Sequence, residues 1–119
     1  MKKMIALCGV DEKIYHILEQ YGGFQILRFF DERERRGDVK LAYFLQNDPS
    51  VELAIVGYSG ARGLAACDYL RTQKSTLPIL WLCDRGEFEP EARRLGVNFF
   101  GTGPPDLEPT IPLILKQCI

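Results

Sequence analysis

The sequence predicts an α/β fold, a parallel sheet held between two layers of helix. Three observations point there. Short apolar runs recur along the chain, segments of helical spacing separate them, and nearly every run stops at a glycine or a polar turn. At 119 residues there is room for one such domain and no second core.

The elements follow in order. Residues 4–8 (MIALC) end at Gly9 and read as a strand buried on both faces. Behind Asp11, the residues Ile14, Ile17, Leu18 and Tyr21 recur at helical spacing until Gly22 and Gly23 stop them. Residues 24–30 (FQILRFF), aromatic and β-branched, form the second strand. The charge run 31–36 (DERERR) reads as a solvated loop or helix start. After Gly37, the residues Val39, Leu41, Ala42, Phe44 and Leu45 give a second helix, ended by Asn47, Asp48 and Pro49. Residues 53–56 (LAIV) are a third strand stopping at Gly57, and a loop over 58–63 (YSGARG) leads into a third helix. Its inner side carries Leu64, Cys67 and Leu70, with Asp68 and Arg71 facing solvent. Residues 77–83 (LPILWLC) are the fourth strand, with Pro78 confined to its start. Glu89 and Pro90 open a short fourth helix, because proline suits the first helical position, and Ala92 and Leu95 face inward before Gly96. Residues 97–101 are the fifth strand, and Pro109 and Pro112 confine a last helix to 110–118. Strands alternating with helices pair in parallel through right-handed crossovers. The expected result is a three-layer sandwich with a five-stranded sheet in the order 2-1-3-4-5, the flavodoxin-like arrangement.

Composition narrows the function. Fifteen Lys and Arg against sixteen Asp and Glu leave a net charge of −1, so no basic field draws in nucleic acid or anionic lipid. No apolar run approaches the roughly 20 residues that cross a bilayer, and the N-terminus has no export signal. The four cysteines, Cys8, Cys67, Cys83 and Cys118, show no C-x-x-C spacing, and a reduced cytoplasmic compartment is the expectation.

Several residues invite a chemical reading. Ser59, Gly60, Ala61, Arg62 and Gly63 precede a helix, where backbone N–H groups and the Arg62 guanidinium could hold an anion; a plain flexible turn is the alternative. Cys8 and Cys83 both end strands at the carboxyl edge. The third strand separates theirs, however, which sets them roughly 10 Å apart and forbids a disulfide. His16 reads as a surface residue, and Trp81, Phe99 and Phe100 as packing. No group of residues has metal-ligand spacing, and no cofactor motif is present.

Residues 5–14 (IALCGVDEKI) and the run from Pro78 to Pro104 carry a resemblance. The first is similar to a family opening I-A-I-C-D-D-E-x-x-I, and the second follows without a gap a run that begins P-I-I-x-L-T-A and ends at G-A-x-x-Y-L-x-K-P. The chain thus resembles the CheY-like receiver domain of bacterial two-component response regulators, in particular the receivers that precede LytTR-type DNA-binding domains. Such domains take phosphate onto an aspartate, using an acidic pair for Mg²⁺ and a hydroxyl and a lysine for the phosphoryl oxygens. The resemblance places the acidic pair on Gly9 and Val10, the acceptor on Gly57, the hydroxyl on Cys83 and the lysine on Gly103. Every one of those side chains is lost. Pro104 keeps its place, implying a cis bond after Gly103, and the loop beyond Gly57 is short, with Gly63 only six residues on. Asp11 and Asp84 are the nearest carboxylates for a cation.

The expectation is therefore a degenerate receiver, not an enzyme and without cofactor or metal, that signals by phosphorylation-independent contact with a protein partner or a second copy. The resemblance puts the contact on the face of the fourth helix, fifth strand and fifth helix, at Arg93, Arg94 and Phe100. The alternatives are a small-ligand or anion sensor at the carboxyl edge between Gly9, Gly57 and Gly103, and a conventional phosphoacceptor. If only side chains were lost, then Gly9→Asp, Val10→Asp, Gly57→Asp, Cys83→Thr and Gly103→Lys together should rebuild a phosphate site.

Overall fold

Strand formation follows from a strict alternation of apolar side chains between two faces. In the computed structural model, which describes residues 3–33, 35–47, 50–83 and 85–100, β1 (Lys3–Cys8) points Ile5 and Leu7 to one face of the sheet and Ala6 and Cys8 to the other. β3 (Val51–Val56) sends Leu53 and Ile55 to the first face and Ala54 and Val56 to the second. β4 (Ile79–Leu82) divides Leu80 and Leu82 from Ile79 and Trp81 in the same way. All twelve of these side chains are buried, as central parallel strands require.

The helices supply the outer layers. α1 (Glu12–Tyr21) buries Ile14 and Leu18 on the first face. α2 (Gly37–Asn47) contributes Leu41, Ala42 and Leu45 to the second face, α3 (Gly60–Gln73) contributes Ala66, Cys67 and Leu70, and the six-residue α4 (Glu89–Arg94) contributes Ala92. A fully buried leucine is worth about 1.5–3 kcal/mol over an exposed one, so these two clusters hold the layers together.

β2 (Phe24–Phe29) pairs with β1, β1 with β3 and β3 with β4, all parallel. The expected order 2-1-3-4 is therefore present. Beyond β4, the short β5 (Asn98–Phe100) adds three parallel pairs. Among the described residues no helix is long and apolar enough to cross a membrane.

Two expectations need correction. The segment 58–63 is not a loop: α3 begins at Gly60, so Gly60, Arg62 and Gly63 all sit in its first turn and only Tyr58 and Ser59 link it to β3. Arg71 does not face solvent but turns back, donating to the carbonyls of Leu95 (2.9 Å), Leu77 (2.6 Å) and Gly96 (3.1 Å). Those carbonyls flank the start of β4 and the end of α4, where the backbone has no ladder partner, and a guanidinium supplies several donors at once. Asp84, Gly101, Gly103, Pro104, Cys118 and the expected last helix at 110–118 lie outside the described residues.

Candidate functional site

In a doubly wound sheet, chemistry gathers where the strand order reverses, here at the carboxyl ends of β1 and β3. Gly9 follows β1 directly, Gly57 follows β3 and Cys83 follows β4, so these three positions do line one edge. The edge is filled, however, rather than emptied.

Gly57 donates its N–H to the Cys8 carbonyl (2.9 Å), which draws the end of β3 against the turn after β1. A Cβ placed on Gly57 would stand 2.5 Å from the Gly9 carbonyl oxygen and 2.9 Å from the Val10 Cα. Both are backbone atoms, with no flexible end to swing aside. Gly9 itself has φ +67°, a conformation that side chains rarely adopt, and a Cβ there would lie 2.6–2.7 Å from Tyr58 Cδ1 and Cζ. The aromatic ring of Tyr58 thus covers the place where a metal-binding carboxylate would project. Val10 is buried in the core on the α1 side. The expectation that five restored side chains would rebuild a phosphate site does not fit this backbone: two of the five positions have no space for a Cβ.

Tyr58 is held from several directions. Its carbonyl accepts from Trp81 Nε1 at 2.7 Å, and its hydroxyl donates to Asp31 Oδ1 at 2.8 Å. The Cys8 thiol lies 3.7 Å from the same hydroxyl, and the Arg62 guanidinium stacks 4.1 Å above the ring centre. Asp31 also accepts from the Gly37 N–H (2.7 Å) and from Arg62 Nη2 (2.8 and 3.1 Å). Beneath this lies Asp38, in the first turn of α2 and fully buried, with the guanidiniums of Arg36 and Arg62 each at 3.5 Å. Among the described residues neither Asp38 oxygen has a hydrogen-bond partner, and the attraction of the two guanidiniums offsets its burial.

These contacts set the local electrostatics. Burial pushes the Tyr58 hydroxyl well above its ordinary range, and the bond to Asp31 adds to the effect. At Asp31 partial burial works upward, but the Gly37 N–H, the Tyr58 hydroxyl and Arg62 outweigh it and hold the carboxyl below its ordinary value. Burial drives the Cys8 thiol up to about 12 and the Cys67 thiol likewise to about 12, so neither is a thiolate nucleophile at neutral pH.

The remaining sequence-predicted residues fall as follows. Arg62, expected in an anion loop, is directed at the chain's own Asp31 and Asp38. Gly63 lies against the Trp81 indole, its Cβ position 2.7 Å from Cε2, and Ser59 Oγ is 3.7 Å from Cys83 Sγ. Asp11 caps α1 by accepting from the Lys13 N–H at 2.8 Å, a structural task rather than a cation site. His16 is exposed beside Glu12. Cys8, Cys67 and Cys83 are free thiols in the core. Arg93 and Arg94 are exposed on α4 and pair with Glu89 and Glu91. Among the described residues no three His, Cys, Asp or Glu side chains gather as a metal would need.

Asp31, Asp38 and Tyr58 are the residues that sequence reasoning missed. For Asp31 the signal lay in the charge run 31–36, whose acids can fold back on an arginine elsewhere in the chain as easily as face water.

Solved structures share this fold. No protein-family model matches the chain, and no curated protein does. Among solved structures, a pilus assembly-related protein from Burkholderia pseudomallei superposes with a TM-score of 0.72 at 13% identity, over 99% of this chain and 89% of that one. A CheY-like response regulator receiver domain from Methylobacillus flagellatus gives 0.70 at 15% identity, over 100% and 99%. An orphan response regulator of Helicobacter pylori gives 0.70 at 15%, over the whole of both chains. With the parallel order 2-1-3-4 and helices on both faces, the chain has the fold of the CheY-like response regulator receiver domain.

Proposed function

We propose that this chain is a signal-transduction module on the receiver fold that works without phosphorylation, by contact with a protein partner. One observation carries the reading: at the end of β3, where the resemblance puts the phosphate acceptor, Gly57 is packed so closely on Gly9 and Val10 that even a Cβ does not fit. Tyr58 adds a ring over Gly9, and the Asp31–Arg62 ion pair fixes that ring. Among the described residues, a site built this way offers no carboxylate at the acceptor position and no group of metal ligands. The module is not an enzyme on this reading, needs no cofactor or metal, and belongs in a reducing cytoplasm with its thiols free.

The contact face proposed is that of α4 and β5, where Arg93 and Arg94 stand exposed and Phe100 pairs with Leu82 across the sheet. Arg94 also borders a shallow groove of about 390 Å³ lined by Ala61, Leu64, Ala65, Asp68 and Leu95. Incubation with acetyl phosphate and Mg²⁺ followed by intact-mass spectrometry tests the central claim. No gain of a phosphate is expected, and a stoichiometric adduct mapping to Tyr58 or its neighbours overturns it.

A further inference from the structure

Among the described residues no strand pairs with the outer edge of β2, and this edge has the attributes of an association site. Phe29 accepts at its carbonyl from the Gly9 N–H (3.4 Å). Since alternate residues of a strand turn their backbone groups to the same side, Leu27 and Gln25 also face β1, and Ile26 and Arg28 turn theirs to the open edge. Natural edges are guarded by lysine, proline, a bulge or an inward charge. β2 has no lysine or proline, and its pairing with β1 runs in unbroken register over six residues. Its single charge, Arg28, is already held by the Glu12 carboxylate and stacked at 4.1 Å over Tyr15 and 4.6 Å over Phe30. Phe30, just past the strand, is 48% exposed.

We propose that β2 pairs antiparallel with β2 of a second copy of this chain, about a two-fold axis through Leu27. The choice of a second copy rests on Phe24 and Phe30, which stand at equal distance on either side of Leu27 and so meet each other at both ends of a two-fold pairing. Pairing about Leu27 sets Phe24 opposite Phe30 of the second copy, Gln25 opposite its Phe29 and Ile26 opposite its Arg28, so aromatic meets aromatic at both ends and no charge lies directly opposite a like charge. Ile26 and Arg28 both turn backbone groups to the open edge, so each Ile26–Arg28 pair exchanges N–H and C=O bonds. Leu27 is half-buried, belongs to neither core cluster and meets itself on the axis. This association is independent of whether the carboxyl edge takes phosphate.

Sedimentation velocity of the 119-residue chain over the micromolar to millimolar range, with hydrogen exchange of the 24–30 segment at both ends of that range, tests the proposal. The expected result is a species of twice the 13.6 kDa chain mass, with the Ile26 and Arg28 amides gaining protection as it forms. Leu27→Lys and Leu27→Glu should each be monomeric, and an equimolar mixture of the two should dimerise again, because the opposed charges meet on the axis. A wild-type chain that stays monomeric throughout, or a dimer that leaves the Ile26 and Arg28 amides unprotected, overturns the proposal. So does a folded Leu27→Lys variant that still dimerises. The exchange measurement needs no variant, so the proposal stays testable if the substitutions unfold the chain.

Discussion

At the scale of single residues, Gly57 is the position at the carboxyl edge where backbone atoms alone crowd a would-be side chain. Gly57→Ala should destabilise the chain by about 1–3 kcal/mol, the usual cost of forcing a methyl into packed backbone, as read from urea denaturation. Gly57→Asp should cost more, because it adds an unpaired charge to the same clash. The ion network makes a second prediction. Removing the Arg62 charge by Arg62→Met leaves buried Asp38, among the described residues, with Arg36 at 3.5 Å. The loss should be about 2 kcal/mol, below the range for a fully buried pair because Arg62 is 35% exposed. Asp38→Asn on top of Arg62→Met should recover part of that loss, so the two changes are non-additive in a double-mutant cycle. Asp31 contributes to acid sensitivity. Its carboxyl is held below its ordinary value in the folded chain, so its contribution is present above the unfolded pKa near ~3.9 and disappears as pH falls through the lower folded value. Asp31→Asn should therefore flatten the fall in stability below about pH 4, measured by denaturation at a series of pH values.

At the scale of elements, the link between β3 and α3 shows what the sequence could and could not disclose. The apolar runs 4–8, 53–56 and 77–83 were legible because buried parallel strands leave no polar face to confuse the pattern. The start of α3 was not, because Gly60 and Gly63 are poor helix residues and read as a turn. The reason for Gly63 is tertiary: Trp81 of β4 lies where its side chain would be, donating Nε1–H to the Tyr58 carbonyl. No local propensity carries that information. The Tyr58–Asp31–Arg62 network escaped for the same reason, since it joins residues 27 and 31 positions apart. Because Trp81 is the only tryptophan and touches this link, its fluorescence reports on it. Tyr58→Ala should shift Trp81 emission to the red in the folded protein, as water reaches the indole. An unchanged spectrum would show that the Tyr58 ring does not close this edge.

At the scale of the whole molecule, the chain has the receiver fold, with a tyrosine ring held by an arginine over the carboxyl edge of the sheet. The resemblance located Gly9, Gly57 and Cys83 at the strand ends, and the structure puts all three there. It could not reveal how closely Gly57 packs on Gly9 and Val10, because backbone approach leaves no mark in the sequence beyond glycine itself. The most direct test is a titration of ¹⁵N-labelled protein with beryllofluoride and Mg²⁺, followed by NMR at the amides of Gly9, Val10, Gly57 and Tyr58. The account predicts that these resonances stay in place at all concentrations. A saturable, Mg²⁺-dependent shift centred on Gly57 would contradict it and return the chain to the phosphate-binding receivers.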